Sequence, residues 1–170
     1  MKEDSSRTPI PLAGVLGCAV LVLFAVNTID RNRDWSDELA LLQKTMHRSP
    51  ESPLANQKLG EVLGKKGRYA EAEALLKRAL EIREQALGPY HPNVAQSLNE
   101  LAAIYQFRGQ YAKAEPFYNR ALAIWEKVLG PDHPDLARSL NNLAELYLDM
   151  GRDNEARRLL ERADSIRESQ

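Results

Sequence analysis

The sequence predicts an all-α fold in which a solenoid of stacked antiparallel helix pairs follows one N-terminal transmembrane helix. Three observations predict it. Residues 8–29 carry no charge, the chain from residue 53 onward repeats with a period of 42 residues, and the apolar residues of each repeat recur at helical spacing. Ala, Leu, Glu and Arg dominate the composition, and these residues favour helix over sheet.

The N-terminal segment reads IPLAGVLGCAVLVLFAV within the 22 uncharged residues from Thr8 to Ile29. As a helix these residues would extend roughly 33 Å, enough for the ~30 Å hydrocarbon core of a bilayer. A cleaved signal peptide is the alternative. However, the head MKEDSSR has no net positive charge, and LFAVNTID is a poor cleavage site. We therefore expect a retained single-pass anchor that contains Cys18, the one cysteine of the chain.

The repeat is visible when the sequence is shifted by 42 residues against itself. GRYAEAEALLKRALEIREQALGPYHP then lies on GQYAKAEPFYNRALAIWEKVLGPDHP, and SLNELAAIYQFRG lies on SLNNLAELYLDMG. Small residues and large apolar residues recur together at fixed offsets. Such a period predicts units that bury a continuous core only when they are stacked.

Each unit is predicted to hold two helices. In the middle unit, one apolar stripe runs over residues 94–105 and a second over residues 111–129. Gly67, Gly109 and Gly151 fall where the first helix must end and the chain must reverse, a left-handed position that suits glycine.

Recurring alanines predict where the helices cross. Ala72, Ala79, Ala114 and Ala121 are small enough to let two helices approach closely, and neighbouring aromatic residues fill the remaining space. For Trp125 we expect core packing, and the same for Trp35, although Trp35 is also placed to act as a membrane-interface residue.

These features resemble the tetratricopeptide repeat. The resemblance is fullest between Leu98 and Leu122, where the motif Leu-x-x-Leu-Ala-x-x-Tyr is followed by Gly, then by Ala-Glu and then by Arg-Ala-Leu. The period and the LGPxHP linker resemble the kinesin light chain variety. The resemblance implies a right-handed superhelix whose concave groove is lined by the first helix of each pair. The boundaries we predict are a polar tail over 1–8, the transmembrane helix over 9–29, a half repeat over 30–52, and repeats over 53–92, 93–134 and 135–170, the last with a C-terminal helix.

A second resemblance lies at the junction between the apolar segment and the repeats. TIDRNRDW, with Thr28, Arg31, Asn32 and Trp35, resembles membrane glycosyltransferases that carry C-terminal tetratricopeptide repeats. In that family the repeats lie outside the cytoplasm. The catalytic membrane domain of that family is missing from this sequence.

Two histidines stand in the hexapeptides LGPYHP and LGPDHP, and each could be a metal ligand or a residue of a helix boundary. Zinc requires three or four ligands, and no further His or Cys stands near His91 or His133. The boundary interpretation assigns the glycine to the helix C-cap and the second proline to the start of the next helix. We favour it, and we expect the same of His47, near the end of an amphipathic helix.

No other chemistry is indicated. A net charge of −1 gives no basic excess for nucleic acid, and no phosphate-binding loop or catalytic triad spacing appears. Carboxylates such as Glu73 and Glu115 are expected on solvated helix faces beside Lys or Arg. We therefore predict no catalytic residue, no metal site, no cofactor and no enzymatic activity.

The candidate functional residues are those that the repeat would place on its inner face. Asn142 matches the family's groove asparagine, whose amide bonds the backbone of a bound peptide; Lys58 and Glu100 stand at the matching positions of the other units. The predicted groove residues are Gln57, Lys58, Glu61, Gln96, Asn99, Glu100, Gln106, Arg138, Asn141, Asn142 and Glu145, with Ala103 and Leu148 beside them. Solvated polar surface is the alternative for all of them.

The leading hypothesis is a membrane-anchored protein–protein interaction scaffold that binds a peptide or helix of a protein partner. The alternatives are the C-terminal repeat portion of a split or truncated membrane glycosyltransferase, and a secreted repeat protein that begins near Asn27. Basic residues flank the apolar segment on both sides, so the positive-inside rule leaves its orientation open. The glycosyltransferase resemblance favours an extracytoplasmic repeat domain. The oligomeric state stays open.

Overall fold

A computed structural model describes residues 38–168 of the chain. The chain divides into two units, Met1–Leu41 and Leu42–Gln170. In the first unit only residues 38–41 are described, and they are helical. The membrane helix that we predict over 9–29, and Trp35, lie outside the described residues. Within residues 38–168, no helix has the length and apolarity needed to span a bilayer.

Helices provide all the regular structure of residues 38–168, which contain no β-strand. Helix α1 covers residues 38–48 and is followed by Pro50. The others are α2 (Pro53–Lys65), α3 (Tyr69–Leu87), α4 (Pro92–Phe107), α5 (Tyr111–Leu129), α6 (Pro134–Asp149) and α7 (Asp153–Glu168).

Helices α2–α7 form three consecutive hairpins. Helix α2 packs on α3, α4 on α5, and α6 on α7, while α3 and α5 each also pack on the first helix of the next hairpin. The first helices α2, α4 and α6 contact one another in sequence. Each hairpin therefore contacts only its neighbours, which is the arrangement of a solenoid. The predicted all-helical repeat solenoid is confirmed.

The turn inside each hairpin has one recurring geometry. The backbone N–H of Arg68 donates to the carbonyl of Leu63 at 2.9 Å, and 42 residues later Gln110 donates to Tyr105 at 2.9 Å. This six-to-one bond closes a helix end when the intervening residue is left-handed. The predicted glycine positions are confirmed, because Gly67, Gly109 and Gly151 have φ values of 75°, 68° and 71°.

The LGPxHP hexapeptide ends one hairpin and begins the next. Gly88 and Gly130, with φ of 83° and 85°, cap α3 and α5. The imidazole of His91 then caps α4, since its Nδ1 accepts from the N–H of Asn93 at 3.1 Å. His133 does the same at the start of α6, accepting from Asp135 at 3.1 Å. The boundary interpretation is confirmed, and the histidines have a capping role that the sequence did not reveal.

The core consists of the predicted stripes. Ala72, Ala79, Ala114 and Ala121 are fully buried, as are the equivalent alanines of α7. Trp125 is buried as predicted. With small side chains at the crossings, α3 and α5 approach their neighbours closely enough for large residues to fill the gaps on either side.

Candidate functional site

Two cavities open along the face that α2, α4 and α6 share. The first has a volume of about 400 Å³ and a mainly apolar surface. Its lining residues are Glu61, Gly64, Lys65, Tyr69, Leu76, Glu100, Ala103, Ile104 and Phe107. A Cβ atom on Gly64 would lie only 2.7 Å from Cδ1 of Ile104, so the missing side chain at residue 64 is what leaves this cavity open.

The second cavity has a volume of about 290 Å³ and is more polar than the first. It is lined by Asn99, Glu100, Ala103, Gln106, Phe107, Tyr118, Asn142 and Glu145. Glu100, Ala103 and Phe107 line both cavities, so the two adjoin along α4. We call the two cavities together the groove.

The two cavities occupy equivalent positions in successive repeats. Gly64 and Leu76 of the first cavity stand 42 residues before Gln106 and Tyr118 of the second. The hydroxyl of Tyr118 donates to Oε1 of Gln106 at 3.0 Å. This hydrogen-bonded pair occupies the second cavity at the positions where Gly64 and Leu76 leave the first cavity open and apolar. The repeat thus builds one apolar and one polar version of the same cavity.

Phe107 stands between the two cavities at the end of α4. Its side chain is 72% exposed, the largest exposure among the large exposed apolar residues of the described chain. Keeping an aromatic ring in water forgoes the free energy that burial would provide, on the order of 2 kcal/mol. An exposed aromatic residue between two cavities is typical of a binding surface.

A buried polar network lies beneath the first cavity. Arg83 of α3, 7% exposed, donates to Oγ of Ser97 at 2.5 Å and to Oε1 of Gln57. Gln57 in turn donates to Glu61 at 2.8 Å and to Oε1 of Glu100 at 2.5 Å. The network connects α2, α3 and α4 and fixes the two carboxylates at the edge of the cavity.

The carboxyl group of Glu100 is electrostatically unusual. Burial, and next the negative charge of Glu61, raise its pKa to about 7, against the opposing effects of the hydrogen bond from Gln96 and of the positive charge of Arg83. Its Oε1 accepts from Gln57 and from Gln96, the latter at 3.1 Å, whereas its Oε2 is buried and has no hydrogen-bond partner within residues 38–168. A buried acceptor without a donor carries a desolvation cost, which a donor from a bound molecule would offset.

The second cavity has no counterpart of the buried arginine. Trp125 stands 42 residues after Arg83, and within residues 38–168 Oγ of Ser139 and Oδ1 of Asn99, the counterparts of Ser97 and Gln57, are buried without partners. Burial raises the pKa of the Tyr118 hydroxyl, and the negative charges of Glu145 and Asp149 raise it further. The second cavity is therefore a region of negative potential.

The predicted groove residues fall into three groups. Gln57 is 2% exposed and makes its bonds within the chain, so it lies beneath the groove surface. Six others, with Ala103, line the cavities: Glu61, Asn99, Glu100, Gln106, Asn142 and Glu145. The remaining four lie outside the lining: Lys58 pairs with Glu61 at 2.9 Å, Gln96 bonds Glu100, Arg138 is 3.6 Å from Asp135, and Asn141 is half-buried with Oδ1 unpartnered. Their role in binding stays a prediction.

Several residues that line the cavities were not predicted from the sequence as groove residues. Gly64, Ile104 and Phe107 were not identified, and Tyr118 was assigned to the core. The repeat register contained a signal for the first of them, because Gly64 occupies the position of Gln106, which was identified. Phe107 offered no such signal, since Lys65 and Asp149 stand at its equivalent positions.

The described residues hold no cluster of three or more His, Cys, Asp or Glu side chains arranged for a metal. Both hexapeptide histidines use Nδ1 to accept a backbone N–H. The polar groups of the groove are amides, carboxylates and a phenol, which are suited to hydrogen bonding with a bound chain.

The fold and the groove define a helical-repeat protein of the binding type. The model of the tetratricopeptide repeat matches residues 52–124 and 95–169, and the chain belongs to that family. Proteins of this fold are generally non-enzymatic scaffolds for protein–protein interaction.

Solved structures agree with this assignment. The chain is 28% identical to a kinesin light chain-type repeat protein of Podosopora anserina, with a TM-score of 0.68 over 80% of this chain and 68% of that chain. It superposes on BtubC of P. vanneervenii with a TM-score of 0.74 at 23% identity, over 83% of this chain and 59% of that one. The kinesin-light-chain resemblance is thereby confirmed at the level of the fold.

Two curated relatives are similar over short stretches. Human nephrocystin-3 is 53% identical over 47 residues, which are 28% of this chain and 4% of that protein. The protein O-mannosyl-transferase Tmtc2 of Drosophila melanogaster is 38% identical over 64 residues, 38% of this chain and 7% of that protein. The chain thus matches only a small fraction of either relative.

Proposed function

We propose that the chain is a non-enzymatic scaffold that holds a peptide segment of a protein partner in the groove, and that residues 9–29 tether it to a membrane. The observation that carries the proposal is Phe107, an aromatic side chain left 72% exposed between two adjoining cavities. A bound segment would cover this ring and supply donors to the unpartnered oxygens of Asn99 and Glu100. Tethering would raise the local concentration of the partner at the membrane.

The groove is tested by replacing Phe107 with the photo-crosslinking residue p-benzoylphenylalanine in the full-length chain. The matched control is the same replacement at Tyr90, which is also an exposed aromatic residue but lies in the hexapeptide turn outside the groove. In a cell lysate we expect a discrete protein adduct at residue 107 and not at residue 90. Equal adducts at both residues, or none at residue 107, would overturn the groove proposal.

The tether is supported by the 22 uncharged residues from Thr8 to Ile29. Full-length protein should stay in the membrane pellet after alkaline extraction, and protein lacking residues 1–30 should be released. A C-terminal tag protected from protease in sealed membranes would distinguish the two orientations; we favour an extracytoplasmic repeat domain, from the resemblance at TIDRNRDW. Complete release of the full-length protein would contradict the tether.

A second candidate is the C-terminal repeat portion of a split or truncated membrane glycosyltransferase. The similarity to Tmtc2 over 64 residues favours it, together with the junction residues Thr28, Arg31, Asn32 and Trp35. The repeats would then position an acceptor protein for a catalytic domain. An in-frame coding sequence upstream of Met1 with several apolar spans would show the truncated form, and an in-frame stop codon there would contradict that form. The split form would be contradicted if the full-length chain co-purified with no membrane glycosyltransferase.

A further inference from the structure

The groove changes from apolar to polar along its length, because two repeats carry different residues at equivalent positions. Gly64 and Leu76 make the first cavity apolar, and their counterparts Gln106 and Tyr118 make the second polar. A chain that crosses both cavities therefore meets two different environments at a spacing of one repeat.

The second cavity, as lined by the described residues, contains carboxylates and no cationic group. Glu100 and Glu145 are among its lining residues, and no Lys or Arg is. Within residues 38–168, Glu145 takes part in no ion pair. The neighbouring Asp149 accepts from Gln106 at 2.6 Å and adds its charge to the same region.

Two side chains that line the second cavity have an acceptor atom without a partner among the described residues. Oδ1 of Asn99 and Oε2 of Glu100 are buried without a donor. Acceptors without donors, beside a carboxylate of Glu145 that has no ion-pair partner within residues 38–168, favour an occupant that supplies both N–H groups and positive charge. The exposed ring of Phe107 favours the same occupant, because a cation is attracted to an aromatic face.

The first cavity favours a different side chain. Leu76 and Ile104 contribute apolar surface, and at about 400 Å³ the space accommodates a large apolar side chain. Neighbouring helices that touch lie about 9 Å apart, and an extended chain covers that distance in about three residues. The two preferred side chains should then be separated by about three positions.

From these observations we propose that the groove selects a peptide in which a large apolar residue, seated between α2 and α4, stands about three positions from a Lys or Arg, seated against Glu100 and Glu145. This proposal rests on the proposed function, since it specifies the peptide that the groove would hold. An acidic or purely apolar segment is the competing occupant.

The test uses capped nonapeptides and the full-length chain, with affinity measured by isothermal titration calorimetry. One peptide pair carries Phe and Lys three positions apart, in either order, in an otherwise Ala and Ser sequence. The matched peptides replace Lys by Glu, or Phe by Ala. We expect one of the Phe–Lys peptides to bind at least about tenfold more tightly than each of its matched versions, and to lose affinity as salt is raised.

Protein variants assign the selectivity to the two cavities. Glu145→Gln should abolish most of the preference for Lys over Glu, whereas Glu161→Gln, which removes one exposed carboxylate from α7, should leave it unchanged. Gly64→Gln installs the residue of the next repeat and should abolish the preference for Phe over Ala while leaving the preference for Lys. Circular dichroism melting of each variant confirms that it is folded.

The outcomes separate this proposal from the one it rests on. If the Glu peptides bind as tightly as the Lys peptides, or if none of the nonapeptides binds, the selectivity proposal is wrong. In either case an adduct at residue 107 and not at residue 90 would leave the groove itself in place. If residue 107 gives no adduct, the proposal that the groove binds a peptide is wrong, whatever the nonapeptides show.

Discussion

The hydroxyl of Tyr105 donates to Oε1 of Glu73 at 2.8 Å, and the bond joins the end of α4 to α3 of the preceding hairpin. Arg108 donates to the other oxygen of Glu73 at 2.5 Å. One repeat later Tyr147 donates to Glu115 at 3.0 Å. Glu73 and Glu115 therefore link consecutive hairpins. Each has the Lys or Arg neighbour expected from the sequence, but both side chains are half-buried at the contact between hairpins.

We expect Tyr105→Phe to lower the free energy of unfolding by about 1 kcal/mol, because it removes a hydrogen bond to a charged and half-buried acceptor. Urea denaturation measures the change. Tyr90→Phe is the control, since that ring is exposed, and it should change stability by less than about 0.5 kcal/mol. Equal losses in the two variants would show that the bond to Glu73 adds nothing.

Replacing Arg83 should destabilise the first hairpin interface more strongly. Arg83→Met leaves Gln57 and Ser97 without their buried partner and removes the larger of the two positive charges that act on Glu100, and we expect a loss of about 3 kcal/mol at pH 8. In a Glu100→Gln background the same substitution should cost less, because the carboxylate on which the charge of Arg83 acts is no longer present. A cost identical in both backgrounds would show that the two groups are not coupled.

The hairpins could be predicted from the sequence because their determinants are local and repeated. Glycine at a positive φ, alanine at a crossing and proline at the first helical position each have one physical reason that applies in every unit. Gly67, Gly109 and Gly151 thus located all three turns.

The groove was harder to predict because its properties arise where the repeats differ. The position of Arg83 is taken by Trp125 in the next unit, and that exchange decides whether a buried polar network or an apolar core lies beneath the cavity. Gln57 was identified as a groove residue from its position in the repeat. Its amide oxygen instead accepts a hydrogen bond from the buried Arg83, so the side chain lies in the interior. The position of a residue in the repeat identifies the helix face on which it lies. The side chains of other helices that contact it decide whether it reaches the surface of the groove.

The Glu100 carboxyl makes the protein less stable as the pH rises. Its folded pKa of about 7 lies above that of an unfolded glutamate, so the folded state binds the proton more tightly. The stabilising effect of that proton is complete below about pH 4.5 and is lost as the pH rises through about 7. Above pH 7 the folded protein therefore contains a buried charge that the unfolded chain exposes to water.

We therefore expect Glu100→Gln to be more stable than the unchanged protein at pH 8, on the order of 2 kcal/mol after allowance for solvent screening. The difference should shrink towards zero near pH 5. Urea denaturation at the two pH values measures it, and Glu161→Gln on the exposed face of α7 supplies the control. A gain of the same size at pH 5 and pH 8 would contradict the role of the Glu100 proton.

His91 and His133 offer a test of the hexapeptide. Each imidazole caps a helix by accepting a backbone N–H at 3.1 Å, so Ala at either position should cost about 1 kcal/mol, and Asn, which is a strong N-cap, less than about 0.5 kcal/mol. Neither histidine lines the groove. The double variant His91→Asn and His133→Asn should therefore retain both stability and peptide affinity, measured by urea denaturation and calorimetry. A large loss of affinity in a variant that still folds would mean that the histidines act in binding and that capping is not their main role.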